Sequence, residues 1–83
     1  MKIFVGNLSA ETVENDLLSA FEPFGSVGHV NIAKTSQDGH SRGFGFVDVA
    51  NDGEGDAAIT GLNGSSLNGR VLRVSKAHRK VNE

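Results

Sequence analysis

Residues 42–49 read R-G-F-G-F-V-D-V. Along a strand, side chains alternate between the two faces. Arg42, Phe44, Phe46 and Asp48 then share one face, and Gly43, Gly45, Val47 and Val49 the other. A cation beside two aromatic rings suits a ligand made of flat rings on a charged backbone. Single-stranded nucleic acid is such a ligand, because bases stack on aromatic faces and phosphates pair with Arg or Lys. A second stretch, residues 3–8, reads I-F-V-G-N-L. It brings one more ring, with Lys2, Phe4 and Gly6 on one side and Ile3 and Val5 on the other.

Other chemistry finds little support. His29, His40 and His78 lack paired ligand spacing, so no metal site is expected. Gly43 and Gly45 sit within a strand and are not followed by a phosphate-loop signature. No nucleophile, base and orienting group stand out together, so neither an enzyme nor a cofactor is expected. With 83 residues and no cysteine, the chain has room for one domain without disulfides or thiolate metal ligands. No apolar run approaches the roughly 20 residues of a membrane span. Residue 2 already begins an alternating segment rather than a signal peptide. A soluble, intracellular protein with no membrane contact is expected.

The net charge of −2 argues mildly against nucleic acid as an average. Its distribution argues the other way. Glu11, Glu14, Asp16 and Glu22 cluster in one stretch, and Asp48, Asp52, Glu54 and Asp56 in another. Arg70, Arg73, Lys76, Arg79 and Lys80 gather near the C-terminal end. Most of the acids fall in expected helices or their entries, and Lys2, Arg42, Arg70 and Arg73 fall in or beside strands.

The elements that must position these residues follow from periodicity. Residues 2–7 alternate as a half-buried strand. A helix opens at Thr12 or Val13 and runs to about Phe21, with Leu17, Ala20, Phe21 and Phe24 as its apolar stripe. Pro23 and Gly25 end it. A second strand spans about 27–34, with Val30 and Ile32 inward and His29, Asn31 and Ala33 outward. The polar stretch 35–41 carries Asp38-Gly39, a hairpin signal. Residues 42–49 form the third strand. A second helix covers about 52–62 through Ala58, Ile59 and Leu62, weakened by Gly53, Gly55 and Gly61 at about 1 kcal/mol each relative to Ala. Asn63-Gly64 and Asn68-Gly69 mark turns, and a fourth strand spans about 71–75.

The order β-α-β-β-α-β is the α+β, ferredoxin-like arrangement: a four-stranded antiparallel sheet with two helices on one face. The other face is then open to water. Phe44 and Phe46 as ordinary core aromatics are the competing reading. It fails on composition. Ile3, Val5, Val30, Ile32, Val47, Val49, Leu72 and Val74 form one coherent apolar face. The opposite face carries Lys2, Phe4, Gly6, His29, Asn31, Ala33, Arg42, Phe44, Phe46, Asp48, Arg73 and Ser75, a set too polar for a core. Gly43 and Gly45, on the inner face, are expected to let a helix approach closely. The fold also hosts small hydrolases such as acylphosphatases, which use a Gly-rich loop with Arg after the first strand. Residues 7–10 have neither.

Residues 42–49 resemble the longer signature of the RNA recognition motif, K/R-G-F/Y-G/A-F-V-x-F/Y, matching six of its seven specified positions. The departure is Val49, where the family usually has an aromatic residue. Residues 3–8 look like the family's shorter hexapeptide. The resemblance covers residues 2 to about 77, and the short form is similar to small single-domain RNA-binding proteins of bacteria. It implies a domain over 1–77 and a short basic tail over 78–83. The implied partner is single-stranded RNA, or single-stranded DNA, in a cytoplasmic protein if bacterial, with a nuclear location left open.

By the same resemblance, Phe4 and Phe44 are the main stacking platforms, Phe46 packs against sugar, and Arg42 pairs with a phosphate. Arg73, Ser75, Lys76 and Ala77 contact bases from the fourth strand. Asn31 and Ala33 add contacts, and Lys2 is the further cation on that face. Asp48 would repel phosphate but accept a hydrogen bond from a base amine. Residues 35–41 contain no Arg or Lys, though this loop is often basic in the family, so weak to moderate affinity is expected. The usual polar helix cap is blurred, with Val13 where Thr is common. The alternative reading is a protein-interaction module of the same fold, binding its partner through the helix face with its acidic first helix.

Overall fold

A computed structural model describes residues 1–34 and 41–77, with Lys34, Ser41 and Arg42 as backbone only. The elements are β1 (Lys2–Gly6), α1 (Glu14–Phe21), β2 (Val27–Lys34), β3 (Ser41–Val49), α2 (Asp52–Leu62), β4 (Ser66–Leu67), β5 (Arg70–Val71) and β6 (Arg73–Lys76). A single 3-10 turn, Glu22–Phe24, follows α1, with Pro23 fixing its backbone. The main sheet has the order β2-β3-β1-β6, antiparallel throughout. This is the expected ferredoxin-like topology. The Asp38-Gly39 hairpin signal and the 78–83 tail lie outside the described residues. None of the described helices is long and apolar enough to cross a membrane.

The core lies between the sheet and the helices. Ile3, Val5, Ile32, Val47, Val49, Leu72 and Val74 are buried from the sheet side, and Leu17, Phe21 and Ala58 from the helices. Val27 and Val30 both reach this core although they are three residues apart. An irregularity between Val27 and His29 in the pairing with β3 inserts the extra residue that turns both inward. Burying each large aliphatic or aromatic side chain contributes roughly 1.5–3 kcal/mol.

Both helix starts are capped, by different means. Ahead of α1, the Asp16 carboxylate accepts from the Val13 N–H at 3.1 Å, so the side chain three residues into the helix reaches back. Thr12 is not the cap. Its buried hydroxyl bonds to that of Ser9 at 2.9 Å and accepts from the Asn68 amide at 3.1 Å. At α2, Asn51 Oδ1 accepts from the Glu54 N–H at 3.0 Å, a side-chain cap the sequence reading had not assigned. The α2 glycines have packing reasons. A Cβ at Gly55 would strike the Met1 thioether, and one at Gly61 would lie 2.6 Å from the Phe24 ring.

Two expectations need correction. The fourth strand does not run unbroken over 71–75. Val71 belongs to a separate two-stranded ribbon, β4–β5, and Leu72 interrupts the chain by donating to the Ser65 carbonyl at 2.7 Å. Asn68 and Gly69, with φ of +52° and +82°, make the two-residue turn of this ribbon. The close approach expected between Gly45 and a helix is instead to β2. A Cβ on Gly45 would meet the Asn31 carbonyl oxygen at 2.7 Å.

The ribbon is pinned to the rest by Asn68, whose amide donates to Thr12 and, at 3.2 Å, to the Asp16 carboxylate. Asn68→Gly keeps the left-handed turn and removes both bonds, so a loss of about 1–2 kcal/mol is expected. Asn68→Ala should lose roughly 1 kcal/mol more, for a Cβ at positive φ without the amide. Urea unfolding of the three proteins checks the order.

Candidate nucleic-acid interface

Strand register lays the outward residues in rows. His29, Asp48 and Lys2 form the first row, through the pairs His29 with Asp48 and Lys2 with Asp48. The second runs Asn31, Phe46, Phe4, Ser75. The third runs Phe44, Gly6, Arg73. The chain beyond β6 continues beside the first row, because the Ala77 N–H donates to the Lys2 carbonyl at 2.9 Å. The three rings, from two strands, thus meet at the centre of the open face.

Their geometry divides the labour. Phe4 and Phe44 are inclined by only 25°, with centroids 6.0 Å apart. They make a nearly level floor. Phe46 stands across it, at 66° to Phe4 and 84° to Phe44. One face of Phe46 is already covered, since the Lys2 ammonium lies 5.5 Å from its centroid, a cation–π arrangement. Phe46 therefore offers an upright wall rather than a third stacking surface.

Gly6 explains the tilt of Phe4. A Cβ there would lie 2.8 Å from Phe4 Cε2 and 3.1 Å from Cζ. The ring leans over the bare backbone of Gly6, toward the row of Phe44 and Arg73. Sequence reasoning placed Gly6 on this face but gave it no role. The following residue, Asn7, holds φ at +63° and donates its amide to the Val71 carbonyl at 2.6 Å. Its side-chain oxygen accepts from Arg70 Nη2, also at 2.6 Å. Arg70 is therefore committed to the loop rather than to the sheet face.

Asn31, Arg73 and Ser75 are exposed on the same face as the rings. Lys76 is not brought together with them. It pairs with buried Ile3, so its side chain starts from the helix side of the sheet at the open edge. Gly43, with φ of +99°, interrupts the pleat between Arg42 and Phe44, and the Arg42 side chain lies outside what the structure describes. The Asp48 carboxylate makes no hydrogen bond or ion pair with the described residues, although Lys2 faces it in register. No group of three or more potential metal ligands occurs among the described residues.

Comparison with known proteins agrees with this geometry. The family model for the RNA recognition motif matches residues 3–73. A protein of the cyanobacterium Synechocystis, RbpA, named as an RNA-binding protein, is 44% identical over 82 residues, covering 99% of this chain and 81% of its own. The crystal structure of the RNA-binding protein PG1 superposes with a TM-score of 0.90 at 33% identity, covering 98% of both chains. A Sex-lethal protein/RNA complex gives a TM-score of 0.90 at 26% identity, covering 98% of this chain and 48% of that one. With both motif strands paired at the centre of the sheet and the family model spanning nearly its whole length, the chain belongs to the RNA recognition motif family.

Proposed function

We propose that the protein binds single-stranded RNA on the open face of its sheet, stacking one base on Phe4 and one on Phe44. The observation that carries this reading is the 25° inclination of those two partly exposed rings, with Phe46 standing across them. Stacking tolerates any base, so sequence preference must come from polar neighbours such as Asn31, Asp48 and Ser75. Phe46 walls the sugar between the stacked nucleotides. Arg42 and Arg73 meet phosphates, and Lys2 adds positive charge over Phe46. Residues 1–77 form the binding domain. Single-stranded DNA offers the same rings and phosphates, and the 2′-hydroxyl sets the difference between the two.

A partner protein on the helix side is the second reading. One observation favours it: a groove of about 410 Å³ bordered by Glu14, Asn15 and Leu18 of α1 and by residues 27–30 of the edge strand β2. A partner whose binding survives Phe44→Ala would establish that reading.

Phe44→Ala should weaken RNA binding by about 1–3 kcal/mol, the usual loss for one stacked base. An RNA titration of a variant with unchanged unfolding checks it, and unchanged affinity would overturn the stacking role. Gly6→Ala should lift the Phe4 ring and cost roughly 0.5–1.5 kcal/mol of binding, on the scale of a displaced rotamer. If Arg79 and Lys80 touch phosphates, truncation after Ala77 should reduce the slope of log affinity against log salt by about 1.4. An unchanged slope would assign the tail to solvent.

A further inference from the structure

We propose that the unpaired edge of β2, with the groove beside it, docks an extended basic segment of another protein, which adds a strand to the sheet. The inference rests on the helix-side partner reading and is independent of the ring face.

The two edges of the sheet are finished differently. At the β6 edge, Asn63 Oδ1 accepts from the Val74 N–H at 3.0 Å, and the Gly64 N–H donates to the Leu72 carbonyl at 2.9 Å. Arg73 and Lys76 add charges that discourage a further strand. The β2 edge has neither device. β2 pairs with β3 on one side only, and residues 27–33 make no backbone bond outside that ladder among the described residues. They include no Lys, Arg, Asp, Glu or Pro. The only guards are the irregularities at Val27/His29 and Ile32/Lys34. Between them His29, Val30, Asn31 and Ile32 pair regularly, and a short strand fits along that stretch.

The groove supplies the side-chain site. It has a volume of about 410 Å³ and is bordered by Glu14, Asn15, Leu18 and residues 27–30. Leu17, Ala20 and Phe21 of α1 pack in or on the core, whereas Leu18 is half-buried and lines the groove. Val27 and Val30 belong to the other wall. An added strand sends alternate side chains toward the helix layer, where apolar ones meet these three.

Charge selects the occupant. Residues 3–33 include no Lys or Arg, while Glu11, Glu14, Asp16 and Glu22 all fall in this stretch. Asn15, Leu18 and Glu22 recur at helical spacing, so an acid continues the face beyond the apolar wall. Glu14 stands toward the other end of the helix. The Glu22 carboxylate makes no hydrogen bond or ion pair with the described residues. A second copy docked edge to edge would bring two such acidic helices together. An RNA strand would meet the same acids with its phosphates. A segment with Lys or Arg on both sides of alternating apolar residues meets opposite charge instead.

The test titrates isotope-labelled protein with two synthetic peptides by NMR. In one, alternating Val and Thr lie between pairs of Lys. In the other, Glu replaces each Lys. The Lys-ended peptide should shift the amides of Leu18, Gly28 and Val30 and leave that of Arg73 unmoved. The Glu-ended peptide should bind about tenfold more weakly. Glu22→Lys, at an exposed site, should weaken the Lys-ended peptide about fivefold with unfolding unchanged. Gly28→Lys tests strand addition itself. A Cβ there meets only the Asp48 carbonyl, at 3.8 Å, so the new side chain guards the edge without strain and should abolish binding. Equal binding of both peptides would overturn the basic partner and leave a helix-side surface standing. Shifts of the same amides on raising the protein concentration alone would make the occupant a second copy and overturn it too. Silence at Leu18, Gly28 and Val30 with both peptides would remove the helix-side reading and the inference with it.

Discussion

Everything at the interface depends on the register of β1 against β3. Phe4 lies opposite Phe46 and Gly6 opposite Phe44, while Ile3 lies opposite Val47 and Val5 opposite Gly45. The two sets belong to opposite faces of the same ladder. A slip of one residue would bury Phe4 and expose Ile3 and Val5. The core and the ring cluster are therefore specified by one constraint. The apolar face fixes the register, and the register brings three rings within about 6 Å of one another. Phe21 is the only phenylalanine spent fully on the core, which otherwise relies on aliphatic side chains.

The second constraint is polar and sits at the edge. Asn7, Asn63 and Asn68 each use a side chain to tie the β4–β5 ribbon or β6 to a distant part of the chain. Bonds of this kind stabilise modestly but are costly to leave unmade, since the partner is then stranded. Two of these residues, Asn7 and Asn68, also hold positive φ, which Asn tolerates better than most residues. Conformation and hydrogen bonding thus demand the same residue type at these two positions. The edge of the open face is built as a stiff frame.

Much of this was legible in the sequence. The order of elements along the chain, the face of each ring and the span of α2 followed from periods of two and about 3.6 residues. Those periods are set by burial, which acts on every residue of an element. What was missed is local or three-dimensional. The break at Leu72 was invisible because Val71, Leu72 and Val74 are all apolar, although Asn68-Gly69 between short flanks carried the signal for a separate ribbon. The cap of α1 was blurred because Thr12, the expected polar residue, is drawn into contacts with Ser9 and with Asn68, 56 residues away. The role of Gly6 could not be read, since glycine on a polar face gives no hint of which ring will lie over it. Lys76 was grouped with Arg73 and Ser75 by the family resemblance of the fourth strand, whereas alternation from Val74 places it on the other side, opposite buried Ile3.

Charge shows the same separation of faces. The net charge of −2 says little about the interface, because the acids have separate work. Glu14 and Asp16 lie in the first turn of α1, and Asp52 and Glu54 in that of α2, where the helix dipole favours negative charge. Asp16 also caps its helix, and Glu54 accepts from the Ser26 N–H at 3.1 Å. These carboxylates belong to the helix layer, behind the sheet. The layers of a packed domain are spaced about 10 Å apart, close to the screening length of physiological salt, so an approaching phosphate on the open face is largely shielded from them. Of the described side chains on that face, Lys2 and Arg73 are positive and Asp48 alone is negative. The local balance favours an anion even though the sum over the chain does not. Moving one acid from a helix start to the sheet face would leave the net charge unchanged and still weaken the site, because position rather than total sets the field an RNA strand meets.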